Sequence, residues 1–427
     1  PLLISPQRLM QDGLITPDDV GEVPAFDTEH VEFDHVRVWK GRLLRIAWDK
    51  FQAGDWPAMR RAVSHFEAEE REWLDDFALY TAIKESRDFA PWWEWGNGLG
   101  QRETAALKKA RRDLGHEIRF QKFVQFLFFR QWRLVRDAAR DRGILIMGDV
   151  PIYVAQDSAD VWANRDLFQL DESGAPTVVA GVPPDYFSAT GQRWGNPLYR
   201  WDVHAQTGYR WWITRIKTNL ELTDLVRLDH FRGFAAYWEI PAHEPTAIHG
   251  RWMPGPGRAL FDALRNALGG LPLIAEDLGF ITPEVHELRD TIGLPGMRVL
   301  QFGFGQPDSP HLPHRLDAET VIYTGTHDND TARGWFDHAS ESERDLARVY
   351  LGDDCRDFSW ALIRAAYTSV AETAMVPIQD ILGLGSDARM NVPGNAHFNW
   401  TWRLGAGALT GGHAERLRKL AEITGRV

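Results

Sequence analysis

Apolar positions recur at helical spacing through three long stretches in the first third of the chain, 35–51, 59–83 and 103–142, and Gly143 closes the last of them. From there the pattern changes. Short apolar runs separated by loops and helix-like stretches lie at 144–148, 225–228, 271–275, 297–302, 320–324 and, more weakly, 373–378. Such alternation predicts parallel βα units. Two connecting helices carry their own punctuation: Thr282, Pro283 and Glu284 open one that Gly293 ends, and another over 258–268 stops at Gly269 and Gly270. Residues 160–201 are rich in Pro, Gly, Asn and aromatics, with a hairpin-like turn at 171–174, and read as a loop insertion with a functional role. No internal repeat, low-complexity tract or linker divides the chain. The expected organisation is a single α/β barrel domain, with 1–142 as a helical insertion region and 143–427 carrying the barrel strands.

Several of the predicted strands run into acidic or polar residues. The run at 225–228 leads into Asp229, that at 271–275 into Glu276 and Asp277, that at 320–324 into His327 and Asp328, and that at 144–147 into Asp149. In a parallel barrel the strand C-termini open on one face, so these residues would converge although they are distant in sequence. The period of two places Arg227 and Asp229 on one side of their strand, a permanent cation beside a carboxylate that it keeps ionised. Glu276 has the opposite requirement if it is to protonate a leaving oxygen, and neighbouring carboxylates raise its pKa. Retaining glycosidic cleavage needs that division: one carboxylate as nucleophile, one carboxylic acid about 5 Å away. Two other readings compete. Acids after strands also cap helices or pair with arginine, and His230, His327, Asp229 and Asp328 are metal-ligand types, although no His-x-x-x-His or His-x-His spacing occurs among them.

Composition narrows the class. With 44% hydrophobic and 25% charged residues the chain reads as a globular protein. No apolar run of about 20 residues suggests a membrane span, and the first ten residues lack a signal-peptide pattern, so a soluble, cytoplasmic protein is expected. Cys355 is the only cysteine, which excludes an internal disulfide and a thiolate zinc cluster and fits a reducing compartment. The net charge of −12 argues against a nucleic-acid partner, since the richest basic stretch, 108–112, reads as a solvated helix face. The 19 tryptophans suit a sugar groove, being flat and apolar with one N–H donor each.

At these residues the sequence resembles a known family. VRLDHFRGF (226–234) resembles the nucleophile motif of amylomaltases, 4-α-glucanotransferases related to α-amylases; AEDLG (275–279) resembles their acid/base motif and GTHDNDT (325–331) their third carboxylate motif. GVPPDYFSATGQRWGNPLY (181–199) resembles the family's loop over the bound glucan, which amylases lack, and RMNVPG (389–394) with NWTWR (399–403) its C-terminal signature. The resemblance spans essentially the whole chain. It implies a (β/α)8 TIM barrel with helical insertions and a long substrate-covering loop. It implies Asp229 as nucleophile, Glu276 as general acid/base and Asp328 as the carboxylate gripping sugar hydroxyls. Arg227 and His327 then match residues that orient the nucleophile and bind sugar, Trp194 and Tyr186 are glucan contacts in the loop, and Asn391 is a candidate contact to a sugar hydroxyl. The implied substrates are maltooligosaccharides and other α-1,4-glucans, with glucose as an acceptor, no cofactor and no metal.

One departure accompanies the match. Family members carry the first two barrel strands before a phrase like PLLIS, which here opens the chain, and six predicted strands fall short of eight, so the first two barrel strands are expected to be missing. An α-amylase-like hydrolase and a catalytically silent glucan-binding barrel are the competing functions. The intact carboxylate set at Asp229, Glu276 and Asp328 argues against the second.

Overall fold

The computed structural model describes residues 1–185, 188–352, 357–395 and 397–426. They form two compact units, Pro1–Glu22 with Trp39–Gly293, and Val23–Val38 with Leu294–Val427. In chain order the strands among the described residues are β1 (Met147–Pro151), β2 (Val178–Val182), β3 (Gln192–Pro197), β4 (Leu225–Asp229), β5 (Ala236–Pro241), β6 (Arg251–Pro254), β7 (Leu273–Ala275), β8 (Gly296–Val299), β9 (Thr320–Tyr323) and β10 (Thr373–Met375). Each of the six apolar runs predicted to be strands overlaps one, although β1 begins at Met147, three residues into the run at 144–148, and extends beyond it to Pro151. No helix of the described residues is long and apolar enough to cross a membrane.

The helical part of the first unit assembles through one apolar stripe. Leu43, Leu44, Ala47, Trp48 and Phe51 recur on one face of helix Phe33–Ala53 and are buried with Phe120, Phe123, Val124 and Leu127 of helix Gly115–Arg140. Phe51 stacks on Phe123 with centroids 4.7 Å apart. Each such ring, fully buried, contributes about 1.5–3 kcal/mol. Two of the predicted helices are each divided. The stretch 59–83 is Pro57–Glu69 followed by Arg71–Glu85, broken at Glu70, whose carboxylate accepts the Trp73 indole N–H at 2.6 Å. The stretch 103–142 is Thr104–Asp113 followed by Gly115–Arg140, parted at Leu114. Apolar spacing continues across both breaks, which is why the pattern does not reveal them.

Among its described residues the first unit holds two sheets. One is parallel with strand order β1-β4-β7, and its register sets Asp149 beside Arg227, Pro151 beside Asp229 and Leu228 beside Ala275. The other is antiparallel in the order β3-β2-β5-β6. Residues 160–201 are therefore not simply a loop, since they supply β2 and β3 as a hairpin. The turn at 171–174 is present, closed by the Asp171 N–H to the Ala175 carbonyl at 2.8 Å. β2 is a short apolar run inside a Pro- and Gly-rich stretch and β3 is mostly polar, so the hairpin escapes an apolar-run reading. A methyl group at Gly181 would collide with the Gln192 carbonyl oxygen of the facing strand.

In the second unit β8, β9 and β10 form a parallel sheet in the order β10-β9-β8. Leu300, Phe304, Ile322, Phe358 and Leu362 are buried in one cluster. The strand predicted at 297–302 ends at Val299 because Leu300–Gly303 coils into a 3-10 turn. Helix Pro283–Ile292 starts and stops where predicted, with Gly293 left-handed at φ 70°, although the Thr282 hydroxyl makes no capping bond. Replacement Gly181→Ala is expected to destabilise the first unit by about 2 kcal/mol through overpacking of the hairpin, read as a lowered thermal midpoint; an unchanged midpoint would contradict the close approach of β2 to β3.

Candidate active site

Three residues at the C-terminal end of the β1-β4-β7 sheet meet in a charged cluster. Arg227 leaves β4 with its guanidinium fork divided, Nη1 donating to Asp149 Oδ2 at 2.6 Å and Nη2 to Asp229 Oδ1 at 2.8 Å. The arginine side chain is only 8% exposed while the two carboxylates are 42% and 43% exposed, so the cation is enclosed and the acids reach outward from it. Burial by itself would make the guanidinium easier to deprotonate, but Asp149, Asp229 and Glu276 outweigh it and hold the proton more firmly than usual. The expected same-side placement of Arg227 and Asp229 is thus realised as a direct ion pair.

Glu276, just past β7, is tied to the end of β4. Its backbone N–H donates to the Leu228 carbonyl at 3.0 Å and its own carbonyl accepts from Phe231 N–H at 3.0 Å. Its carboxyl oxygens accept one backbone N–H each, Oε2 from His230 at 2.7 Å and Oε1 from Leu278 at 2.8 Å. Burial, then the negative charge of Asp229, push its pKa up, while Arg227 and the two N–H donors pull it down; the balance is about 7. The larger cause is burial, where the sequence pointed to neighbouring carboxylates. Adjacent Asp277 is a different case, fully buried and paired with Arg289 of helix Pro283–Ile292 at 2.5 Å, where it anchors that helix.

Trp194 stands on β3, 38% exposed, with its indole N–H donated to Gln192 Oε1 at 3.1 Å. Its ring meets the His230 imidazole edge to face at 4.8 Å, which brings the loop's tryptophan to the residue after Asp229. Tyr186 lies outside the described residues, as does Phe187.

The second unit holds the remaining candidates. Asp328 follows β9 and accepts Asn391 Nδ2 on Oδ1 at 2.5 Å, while His327 Nε2 lies 3.5 Å from its Oδ2. Asn391 N–H returns to the His327 carbonyl at 3.1 Å, and Arg389 donates to the Asp328 carbonyl at 2.6 Å. His327, Asp328 and Asn391 are therefore one hydrogen-bonded group. Trp400 joins them with its ring 5.2 Å from that of His327. It went unassigned in the sequence although it sits in the 399–403 motif, because nothing in that motif says which tryptophan faces the acids. Among the described residues no three of His, Cys, Asp and Glu gather to hold a metal ion.

Replacement Asp229→Asn removes the second cause of the Glu276 shift and leaves Arg227 less neutralised. The Glu276 pKa is expected to fall from about 7 but to stay above the ordinary carboxylate range, because burial persists. A carbon-13 NMR titration of the glutamate carboxyls reads this directly, and an unmoved Glu276 would contradict the coupling.

Comparison with known proteins places this geometry. The sequence pattern of the family described as 4-alpha-glucanotransferase matches residues 1–408. The 4-alpha-glucanotransferase of Thermus thermophilus is 48% identical over 100% of this chain and 86% of its own length. That of Synechocystis sp. is 47% identical over 100% of this chain and 85% of its own. Among solved structures, amylomaltase from Streptococcus agalactiae in complex with acarbose superposes with a TM-score of 0.95 at 36% identity, covering 100% of this chain and 86% of that one. With an α/β architecture shared at that level and identity spread over its whole length, the chain belongs to the 4-alpha-glucanotransferase family, the enzymes that transfer α-1,4-glucan segments.

Proposed function

We propose that Asp229 is the nucleophile and Glu276 the general acid/base of a retaining double displacement on α-1,4-glucans. The observation that carries this is the contrast between them: Asp229 is paired with an enclosed guanidinium, whereas Glu276 is buried and pushed up to about 7. One carboxylate faces a fixed positive charge, and the other carboxyl is still partly protonated at neutral pH. In the first step Glu276 gives its proton to the glycosidic oxygen as that bond breaks, and an Asp229 oxygen bonds to the anomeric carbon. The shortened glucan departs from the acceptor side. Glu276, now ionised, then takes the proton from the 4-hydroxyl of glucose or a second glucan, which displaces Asp229 and rebuilds an α-1,4 bond with net retention.

In this reading Asp328 grips sugar hydroxyls and stabilises the positive charge that develops at the anomeric carbon, with His327 and Asn391 as sugar contacts beside it. Arg227 orients Asp229, and Trp194, with Tyr186 of the same segment, covers the glucan. A covered site favours sugar over water in the second step. The six parallel strands, four of them leading into the polar residues singled out above, support a (β/α)8 barrel within a single catalytic domain, residues 1–142 forming its helical insertion. The chemistry needs no cofactor. The single Cys355 supports a reducing, cytoplasmic setting.

Incubation with maltotriose tests the reading. The wild type is expected to give glucose and a ladder of longer maltooligosaccharides, and Glu276→Gln to lose at least about a hundredfold in rate. Only shorter sugars would indicate the hydrolase, and full activity in Glu276→Gln would remove Glu276 from the mechanism.

A further inference from the structure

Helices Arg71–Glu85 and Arg210–Leu222 lie in the first unit, and each carries a stripe that its own core face does not use. Glu72 with Asp76 and Trp73 with Phe77 are spaced by four, so an acidic row and an aromatic row run side by side on the first helix. On the second, Arg210 with Thr214 and Trp211 with Arg215 repeat that spacing. Leu74, Ala78 and Leu79 of the first helix are buried instead, as are Trp212 and Ile216 of the second. The two stripes, with Asp160 of helix Ala159–Ala163 and Asp166 of the turn after it, line a pocket of about 540 Å³. None of its lining residues belongs to the cluster of Arg227, Asp229 and Glu276.

The lining selects a class of ligand. Trp73, Phe77 and Trp211 are half-buried and give the pocket flat apolar surface. The Trp73 N–H is committed to Glu70 at 2.6 Å, so this residue offers its ring alone. Four carboxylates, on Glu72, Asp76, Asp160 and Asp166, oppose an anion. A cation meets competition, because guanidinium groups already hold the places it would take: Arg215 lies over the Trp211 ring at 5.2 Å, and Arg210 Nε donates to Glu72 at 2.7 Å. Arg102 engages Asp76 in the same way at 2.8 Å. Pairs of this kind leave carboxylate lone pairs and guanidinium N–H groups for a neutral ligand that both donates and accepts. Asp166 is exposed and carries no salt bridge among the described residues, so its acceptors are open. A polyhydroxylated ring meets these needs together, with its C–H face on an indole and its hydroxyls toward the acids.

We propose that this pocket is a second saccharide site, apart from the reacting carboxylates, that takes the end of an α-1,4-glucan. Its volume suits about one or two glucose units, within the range of small-molecule sites. α-1,4-Glucans are the sugars that enzymes of this family handle. A chain end held there stays on the enzyme without touching the bond being exchanged.

Fluorine NMR of the protein carrying fluorotryptophan tests the site, with maltose as the probe and Glu276→Gln as the background that keeps the sugar from being converted. Trp73→Phe and Trp211→Phe assign the two signals, and both signals are expected to move saturably with maltose. Asp166→Asn is expected to raise the maltose needed about tenfold. Thr214→Phe fills the pocket and is expected to abolish the movement. Arg215 is unsuited as a probe, since its Nη2 also holds the Pro151 carbonyl at the end of β1 at 2.6 Å. In the otherwise wild-type enzyme, Asp166→Asn and Thr214→Phe are both expected to leave the rate of maltotriose transfer unchanged. Signals that stay still at about 0.1 M maltose overturn the proposal. So do signals that move at an unchanged maltose concentration in Asp166→Asn and Thr214→Phe, and so does loss of transfer in a folded Asp166→Asn variant. Should Thr214→Phe not accumulate, Asp166→Asn, an exposed acid exchanged for its own amide, decides alone. Full activity of Glu276→Gln would count against the catalytic assignment only, because the Trp73 and Trp211 signals report the pocket.

Discussion

Burial of one guanidinium organises the chemistry of this protein. Arg227 cannot lose its charge, and at 8% side-chain exposure it needs anionic partners. The sheet supplies them by register, setting Asp149 of β1 level with Arg227 and Asp229 two residues further along β4. A forked, planar cation can bond both carboxylates at once, whereas a lysine ammonium at the same position is a single point charge on a mobile stem. The requirement to satisfy this cation positions the Asp229 side chain and ties β1 to β4 at the end where chemistry is proposed.

The second carboxyl depends on the same stretch of chain with the opposite result. Residues 228–231 hold Glu276 through its backbone and, at His230, through its side chain. Enclosure raises its pKa, the negative charge of Asp229 adds to this, and Arg227 moderates both. Two carboxyls bound to one loop thus sit in opposite surroundings: one meets the guanidinium and partial solvent, while the other meets backbone donors and low-dielectric surroundings. Pairs of this kind suit a reaction in which acid and nucleophile act in the same step.

β4, β7, β8 and β9 were legible because strands buried on both faces read as continuous apolar runs, whereas β1 begins three residues into its run and carries Asp149 exposed within it. The same-side placement of Arg227 and Asp229 followed from the period of two alone. The antiparallel sheet was not legible, since β2 is an apolar run of only five residues and its partner β3, Gln192–Pro197, is mostly polar. The helix breaks at Glu70 and Leu114 were hidden because an apolar stripe continues through them. The motif singled out Glu276 from adjacent Asp277, and Arg289, twelve residues on from Asp277, supplies the physical reason by claiming that second carboxylate. The left-handed turn at His230 carries no sequence signal at all.

The covalent step on Asp229 is the account's central claim, and a donor that needs no acid tests it most directly. Glu276→Gln treated with an α-maltosyl fluoride should release fluoride and accumulate a glycosyl-enzyme, because the leaving group departs without a proton while the return step lacks its base. Peptide mass mapping is then expected to find the maltosyl adduct on Asp229; an adduct on any other carboxylate, or fluoride release with no adduct formed, would contradict the account.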